Sequence, residues 1–522
     1  MLDLGRRLWL WTALAWLGAA ALAVALTLPA VWWEPLHGDE IVTLRFARQS
    51  PEEILDHIFV NRGGAPLHFL IERVTLTWPD GLAGLRIPSV VFFVLALPAA
   101  GLVAGRLVDR RAALILPFAL ACAPLAVGLG TFGRMYSLFL AATLWATVLA
   151  LWAARRDRWW AWTLVGIAAG LLVYVHPVAP LYSALVVATG LVCAAVPLRR
   201  LLRIAWTAPV ALALVQAPYY AVALGVLRDR YEVELGAPRA QAIRAAGRSV
   251  PEQSLIGLGP GELAGSSFAL ALALIGLAWL AADRPRPAIA LALWGVLPVA
   301  FFTFVPTGTT FFFPRYLLPA LPFFLLLVVS GCLAFFVFGR IGAFAAGALL
   351  AGVLAWQLYD VGVELGELRD LRLRALLQVT QERQPELLFE AVGDTPFVRR
   401  PPRYLDEYVQ LERPGIRRAP EGDPERLAEF VESDADPAVG VWIFAGPPET
   451  LATARERLEA VPGGEIVPVS PSVLVVRSAE PQEPRELVEL AAALREAWLT
   501  DVPDDGEAER LLRRDQFALG AS

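Results

Sequence analysis

The sequence predicts a polytopic α-helical membrane protein with a small α/β domain at its C-terminal end. Three observations predict it: repeated apolar runs of helical length, arginines on alternate turns between those runs, and an acidic last third with strand-like alternation. Mean hydropathy is +0.55 and 57% of residues are hydrophobic, which excludes an ordinary soluble chain.

The apolar runs give eleven expected spans, over residues 8–33, 87–105, 112–132, 135–154, 159–175, 177–198, 204–227, 263–282, 287–306, 316–339 and 341–359. At 1.5 Å per residue each crosses about 30 Å of hydrocarbon, with 159–175 at the short limit. Lipid offers the backbone no hydrogen-bond partner, so each span must be helical. The first follows Arg6 and Arg7 and stays uncharged from Leu8 to Trp33. A cleaved signal has an apolar core of only about 7–15 residues, so this segment is expected to remain as an anchor.

Every basic residue other than histidine is arginine, and the arginines order the topology. Arg6/Arg7, Arg106/Arg110/Arg111, Arg155/Arg156/Arg158, Arg199/Arg200/Arg203, Arg284/Arg286 and Arg340 fall on alternate turns, which the positive-inside rule assigns to the cytoplasm. The N-terminus is then cytoplasmic and residues 361–522 lie outside. Charge divides the same way: residues 1–360 hold 26 arginines against 18 acids, and residues 361–522 hold 19 against 32. The expected domains are therefore a membrane domain, 1–360, and a soluble extracytoplasmic domain, 361–522.

Three external segments are large. Residues 34–86 contain "APLHFLIERVTLTW" (65–78), an amphipathic stretch expected as a helix lying on the membrane surface. Residues 228–262 are polar and rich in Gly and Pro. The tail has strand character at "VGVWIF" (439–444) and "EIVPVSPSVLVV" (465–476), flanking a helical 448–461, and its end from residue 500 is expected to be poorly ordered.

Several chemistries are absent from the pattern. Cys122, Cys193 and Cys332 each sit inside an apolar run and serve as small hydrophobes; no disulfide framework or metal-ligand spacing appears. No Gly-rich nucleotide fingerprint or phosphate loop is present, which disfavours a cytoplasmic nucleotide-sugar donor, and nothing points to nucleic acid.

The polar residues converge on one face. His37, His57 and His68 lie in the first external segment, and His176 ends the fifth span on the same side. Arg86, Arg134 and Arg315 break the charge rule there, and the adjacent acids Asp39 and Glu40 follow the first span. Singly, an arginine at a helix end snorkels to headgroups, a lone histidine packs in a core, and an acidic pair in a loop is solvated. Together they form the parts of an anion-binding, proton-transferring site at the external interface. Arginine forks match phosphate oxygens, a carboxylate accepts a proton from an attacking hydroxyl, and cations stabilise a leaving phosphate. Sugar transfer from a polyprenyl phosphate needs each of these. A flippase of lipid-linked sugars is the alternative; it would favour ionisable residues near mid-membrane and paired broken helices, whereas these spans are nearly free of charge. An inactive relative using its tail as a binding module is a third reading, against which the intact Asp39-Glu40 pair argues.

The order of motifs strengthens the first reading. An acidic pair after the first span, then "APLHFL", "LRIPSVVFFVLALPAAGLVAGRLVDRR", "GRMYSLFLAATL", "LVYVHPVAPL" and "PRYLLPALPFFLLL", resembles the bacterial GT-C glycosyltransferases, of the protein O-mannosyltransferase and aminoarabinose-lipid A transferase type, over residues 8–360. The resemblance implies a GT-C-like fold in the bacterial plasma membrane, a polyprenyl-phosphate sugar as donor and inversion at the anomeric carbon. It implies Asp39 as catalytic base and Glu40 as its neighbour near the acceptor. Arg86, Arg134 with Tyr136, His176, and Arg315 with Tyr316 match polar positions around the donor and its phosphate. Where relatives carry a basic residue before Pro-Pro-Leu, this chain has Gly64-Ala65-Pro66-Leu67-His68, so Arg62 or His68 takes that place. Metal dependence varies among such relatives; no metal or other cofactor is assigned. The acceptor is a lipid, a glycan or a protein.

Overall fold

A computed structural model describes residues 2–34, 38–78, 81–156, 158–234, 239–304, 314–371, 387–388, 417–418, 437–445, 448–470 and 473–499. His37 and the last residues from 500 lie outside them. The chain divides into two compact units, residues 1–28 with 43–363, and residues 29–42 with 364–522.

The first unit is a helical membrane bundle. It opens with α1 (Leu2–Thr27); α2 (Ala30–Trp33) and the first turn of α3 (Gly38–Ala47) group with the second unit. α4 (Pro51–Ile54) starts on a reciprocal cap, with Ser50 and Glu53 each accepting from the other's backbone N–H. It runs on as a π-helical segment, Leu55–Val60, before α5 (Leu67–Thr75). Then follow α6 (Gly81–Leu107), α7 (Arg110–Ala121), α8 (Pro124–Thr131), α9 (Tyr136–Ala153), α10 (Trp159–Leu171), α11 (Ala179–Val192), α12 (Leu198–Ala205), α13 (Thr207–Glu234), α14 (Arg239–Leu258), α15 (Leu263–Asp283), α16 (Pro285–Phe304), α17 (Leu321–Ala334) and α18 (Gly339–Leu371).

Among the described residues each of the eleven expected spans coincides for most of its length with apolar helix. Among the described residues seven helices are long and apolar enough to cross a membrane alone, and α7 with α8 makes an eighth across a 58° bend. Pro124 causes that bend: it lacks an N–H and pushes Ala123 into an extended conformation (ψ 121°). α10 and α11 are shorter apolar helices. The long run 321–366 holds the last two spans, separated at Gly339, whose φ of 66° a residue with a side chain seldom adopts. The second large external segment, which Gly and Pro mark as irregular, is mostly helix: α13 continues to Glu234, and α14 accommodates Pro251.

Small residues let these helices approach. A Cβ on Gly276 of α15 would lie 2.1 Å from the Leu327 carbonyl of α17, and one on Gly331 of α17 would lie 2.0 Å from the Leu272 carbonyl of α15. Gly166 of α10 meets α13 in the same way, 2.2 Å from the Ala208 carbonyl. Trp294 of α16 stacks on Phe323 of α17 at 3.8 Å and donates to the Thr189 hydroxyl of α11 at 2.8 Å, which ties three helices through one side chain.

The basic turns meet at one end. Arg284 donates to the Val108 carbonyl, Arg286 to the Ala194 carbonyl at 2.7 Å, Ala195 N–H to the Ala154 carbonyl at 3.0 Å, and Arg111 lies over the Phe336 ring at 4.4 Å.

In the second unit five strands, β1 (Leu387–Leu388), β2 (Arg417–Arg418), β3 (Gly440–Ala445), β4 (Gly464–Ser470) and β5 (Val473–Ser478), form one sheet in the order β2-β1-β3-β5-β4. β3 and β5 are antiparallel, with Trp442 opposite Val476 and Phe444 opposite Leu474. These four side chains pack beneath α19 (Pro448–Glu459) and α20 (Pro484–Leu499) with Leu458, Leu487 and Leu494. The stretch 465–476, which alternation alone makes one strand, is the hairpin β4–β5. Pro468 is tolerated because β4 pairs only with β5, with an irregularity between Pro468 and Ser470.

Replacing Gly276 by Val is expected to cost roughly 1–3 kcal/mol, because the added carbons meet backbone that cannot give. A lower melting temperature of the purified variant in detergent checks this; an unchanged one means that α15 and α17 separate freely.

Candidate functional site

The site in the first unit is built around the turn Phe132–Arg134. α8 stops because Phe132 turns extended (ψ 121°), and α9 restarts at Tyr136, leaving three carbonyls outside any helix. Side chains from α5 and α6 take them up. The Ser89 hydroxyl lies 2.7 Å from the Phe132 carbonyl and 3.3 Å from that of Arg134, and His68 Nε2 donates to the Gly133 carbonyl at 3.3 Å. The Arg134 side chain is held in turn: Nη1 donates to Thr43 Oγ1 at 3.2 Å, and the guanidinium lies 5.7 Å from the centre of the Phe69 ring.

α5 has its amphipathicity inverted relative to a surface helix. His68 and Glu72 are buried, whereas Val74 is 67% exposed and Trp78, just beyond, is exposed too. Its polar face turns to protein and its apolar face outward, as lipid would require. Burial, helped by the Arg134 charge, pushes His68 down to about 3, so the ring is neutral. Its Nε2 stands 3.6 Å from the Glu72 carboxylate, a contact that with a neutral ring is not an ion pair. Nδ1 is buried without a hydrogen-bond partner. Expected among the groups that meet the donor, His68 has instead the geometry of a support for the turn.

His176 is the second centre. It lies in the turn between α10 and α11, where Nδ1 accepts from the Val178 N–H at 3.2 Å. Three rings surround it: Phe139 stacks at 5.2 Å, Tyr136 is tilted at 5.5 Å and Tyr316 meets it edge-on at 5.8 Å. Arg315 lies over Tyr136 at 5.6 Å and by Tyr316 at 5.9 Å. Burial lowers the His176 pKa, and the charges of Arg134 and Arg315 lower it further, so the imidazole is neutral. Tyr182 donates to the Tyr316 carbonyl and fixes the short 3-10 turn Pro314–Leu317 that carries Arg315.

The remaining expected residues are placed less centrally. Arg62 is exposed, 4.8 Å over Phe46, and Phe46 meets Phe69 edge-on at 6.4 Å. Arg62 and Arg134 thus stand at the two ends of an aromatic pair. His57 bonds Gln49 at 2.8 Å and also faces Phe46. Arg86 is completely buried near the start of α6. Asp39 and Glu40 occupy the first turn of α3, Asp39 half-buried and Glu40 fully buried; Thr43, which holds Arg134, follows one turn later in the same helix. The structure therefore brings together Arg134, Tyr136, His176, Arg315 and Tyr316, with His68 beneath.

Beside them runs an apolar groove of about 540 Å³ between α14, α15, α16 and α17, lined by Leu255, Leu258, Leu274, Val296, Val299 and Phe324 among others. It adjoins the Arg315 turn through Gly257 of α14, where a Cβ would lie 2.7 Å from that of Pro314. Among the described residues no three His, Cys, Asp or Glu side chains come together as a metal site.

Sequence reasoning missed Thr43, Phe69, Ser89, Phe139, Tyr182 and Phe302, the last stacking on Tyr316 at 5.7 Å. Ser89 had a signal, since it follows Arg86 in "LRIPS"; the rings had none, being apolar residues within apolar runs.

No protein-family model matches the sequence, and no curated protein does. Solved structures are similar at low identity. ArnT from Cupriavidus metallidurans bound to undecaprenyl phosphate is 16% identical with a TM-score of 0.48, covering 90% of this chain and 98% of that one. Its apo state is 16% identical with a TM-score of 0.49, over 88% and 98%. The Archaeoglobus fulgidus oligosaccharyltransferase in complex with Zn and sulfate is 14% identical with a TM-score of 0.46, over 86% and 69%. At such identity none of them assigns a residue.

Removing the Ser89 hydroxyl in Ser89→Ala is expected to cost about 1–3 kcal/mol, since two turn carbonyls lose a buried donor. The pH dependence follows from the histidines. Their folded pKa values lie below the unfolded value of about 6.5, so their contribution is intact at neutral pH and is lost as pH falls below that value. Between pH 7.5 and 5.5 (roughly one pH unit past the unfolded pKa), each is expected to remove on the order of 1 kcal/mol. His68→Gln, which keeps a donor for Gly133 and does not titrate, should lose less melting temperature over that interval than the wild type. An equal loss would show that His68 charges in place.

Proposed function

We propose that the protein transfers a sugar from a polyprenyl-phosphate donor to an acceptor hydroxyl on the extracytoplasmic face. The observation that carries the proposal is that Arg134 and Arg315 both come close enough to act on a neutral His176, with Arg315 over the Tyr136 ring, next to an apolar groove. Two guanidinium groups at the end of an apolar bundle suit a lipid phosphate, and the groove suits a polyisoprenoid chain. Tyr136 and Tyr316 hold Arg315 in place for that role.

In this reading Asp39 is the general base and Glu40 orients the acceptor. Asp39 takes the proton of the acceptor hydroxyl, the oxygen attacks C1 of the sugar from the side opposite the phosphate, and the C1–O bond breaks with its electron pair going to the phosphate. Configuration inverts, and polyprenyl phosphate is the second product. Arg134, Arg315 and Arg86 carry the growing phosphate charge. The orientation that goes with it has the N-terminus in the cytoplasm and residues 361–522 outside.

The purified protein, given polyprenyl-phosphate sugars and an acceptor, is expected to release polyprenyl phosphate. Asp39→Asn should lower turnover by about 10²–10⁴-fold with donor affinity retained; wild-type turnover in that variant sinks the base assignment. Arg315→Ala and Arg134→Ala are each expected to weaken donor binding by roughly 10–100-fold, the loss of one charge-assisted hydrogen bond. Unchanged binding removes that arginine from the phosphate site. A reporter fused after residue 360 should be active only outside the cytoplasm.

A further inference from the structure

The end of the bundle away from His176 carries a second, differently built surface. α9 separates the two ends, with Tyr136 at its start and Ala154 just past its close. There Ala195 N–H bonds the Ala154 carbonyl and the Thr207 hydroxyl bonds the Trp159 carbonyl at 3.0 Å, so residues 154–160 and 195–207 form one platform. The platform holds Arg155, Arg156, Arg158, Arg199, Arg200 and Arg203, all exposed, and by sequence a single acid, Asp157, among them.

These arginines differ from their neighbours in what they touch. Arg284 and Arg286 are spent on the carbonyls of Val108 and Ala194, Arg111 on Phe336, and Arg156 on the Trp152 ring at 5.0 Å. The side chains of Arg155, Arg158, Arg199 and Arg203 make no hydrogen bond or ion pair among the described residues.

α12 shows what they are for. At 3.6 residues per turn, Leu201 and Ala205 share one edge of its apolar arc, and both are buried. Leu198 and Leu202 share the other edge and are 68% and 66% exposed. Arg199 and Arg203 come next around the helix. Trp159, Trp160 and Trp206 are exposed at the same level, the aromatic belt expected where bilayer meets water. A purely solvated helix has no use for exposed leucines and tryptophans; an acidic protein partner would answer the arginines and leave those rings and leucines in water. Leu198–Val226 runs as one membrane-length helix, so α12 is the end of that span at the headgroup level, and this satisfies both, with leucines at the acyl boundary and arginines at the phosphates.

We propose that the α12 platform is a binding surface for acidic phospholipid headgroups, and that such lipids brace the α10–α13 end of the bundle. The proposal is independent of the transferase reading. Its test is the melting temperature of the purified full chain in neutral detergent, with added phosphatidylglycerol, phosphatidylcholine or inorganic phosphate. Phosphatidylglycerol is expected to raise it by several degrees, phosphatidylcholine and phosphate not, and the increment should shrink at about 0.5 M salt. The variant R199Q/R203Q, exposed at both positions and so expected to fold, should keep the lipid-free value and lose about half of the phosphatidylglycerol increment. The proposal is overturned if both lipids act alike, or if the variant keeps the increment. An equal effect of inorganic phosphate also overturns it, since the arginines would then be a free-anion site.

Discussion

A polar group inside hydrocarbon has no water to fall back on, and that constraint decides where this chain puts its chemistry. Within the spans, hydroxyls bond nearby carbonyls, as Thr147 does Thr143 and Ser330 does Leu326 in their own helices and Ser183 does Ala169 in the next. Larger polar side chains bond from span to span: Trp294 bonds Thr189 and stacks on Phe323, and Gln216 donates to Ser183. Ionisable groups are driven to the two ends. Even there a turn such as Phe132–Arg134 must find donors, and Ser89 and His68 are those donors.

The same constraint narrows who can do acid–base work. His68 and His176 are the histidines nearest the arginines, and both are held neutral by burial and by those arginines. A base must take up a proton at working pH, and a buried imidazole near two cations resists it. The proton of an acceptor hydroxyl therefore needs a carboxylate, and the proposed reaction gives that task to Asp39. His176 serves instead as a neutral acceptor for the Val178 N–H and a flat packing surface between Phe139, Tyr136 and Tyr316.

Hydrophobic runs and arginine alternation made the spans legible, because both are local signals in the chain. What broke helices was legible only in part. Pro124 bends α7 against α8 as its chemistry dictates, yet Pro251 passes inside α14, since a single proline does not end a helix that packing supports. The hairpin β4–β5 lies inside what reads as one strand-like stretch, and its signal was the Ser470-Pro471-Ser472 break between the strands. At the site, unusual residues announced themselves: Arg134, His176 and Arg315 do come together. Their supports did not. Thr43 lies 91 positions from Arg134 and Ser89 lies 43 from Phe132, and nothing in a single sequence links such pairs. His68 was visible as a histidine, but its role depends on burial, which residue type does not state.

The aromatic residues explain how arginines can be both fixed and usable. A carboxylate that anchors a guanidinium also cancels its charge, whereas a ring face attracts it through the quadrupole and leaves the positive charge in place, at about 0.5–2 kcal/mol per contact. Arg62 on Phe46 uses this second kind of hold, and Arg134 by Phe69 and Arg315 by Tyr136 and Tyr316 have it among their contacts. Beneath Tyr136 and Tyr316 the rings continue through Phe139 and Tyr182 to Trp294, so the cation-bearing end is seated on a rigid aromatic column rather than on mobile aliphatic side chains. Such seating limits the reorganisation needed when negative charge arrives, and reorganisation is the cost that a preorganised phosphate site must avoid. At the opposite end α12 has only leucines and tryptophans facing out beside its arginines. The two ends present their arginines differently: one encloses them with rings, the other leaves them open at a surface.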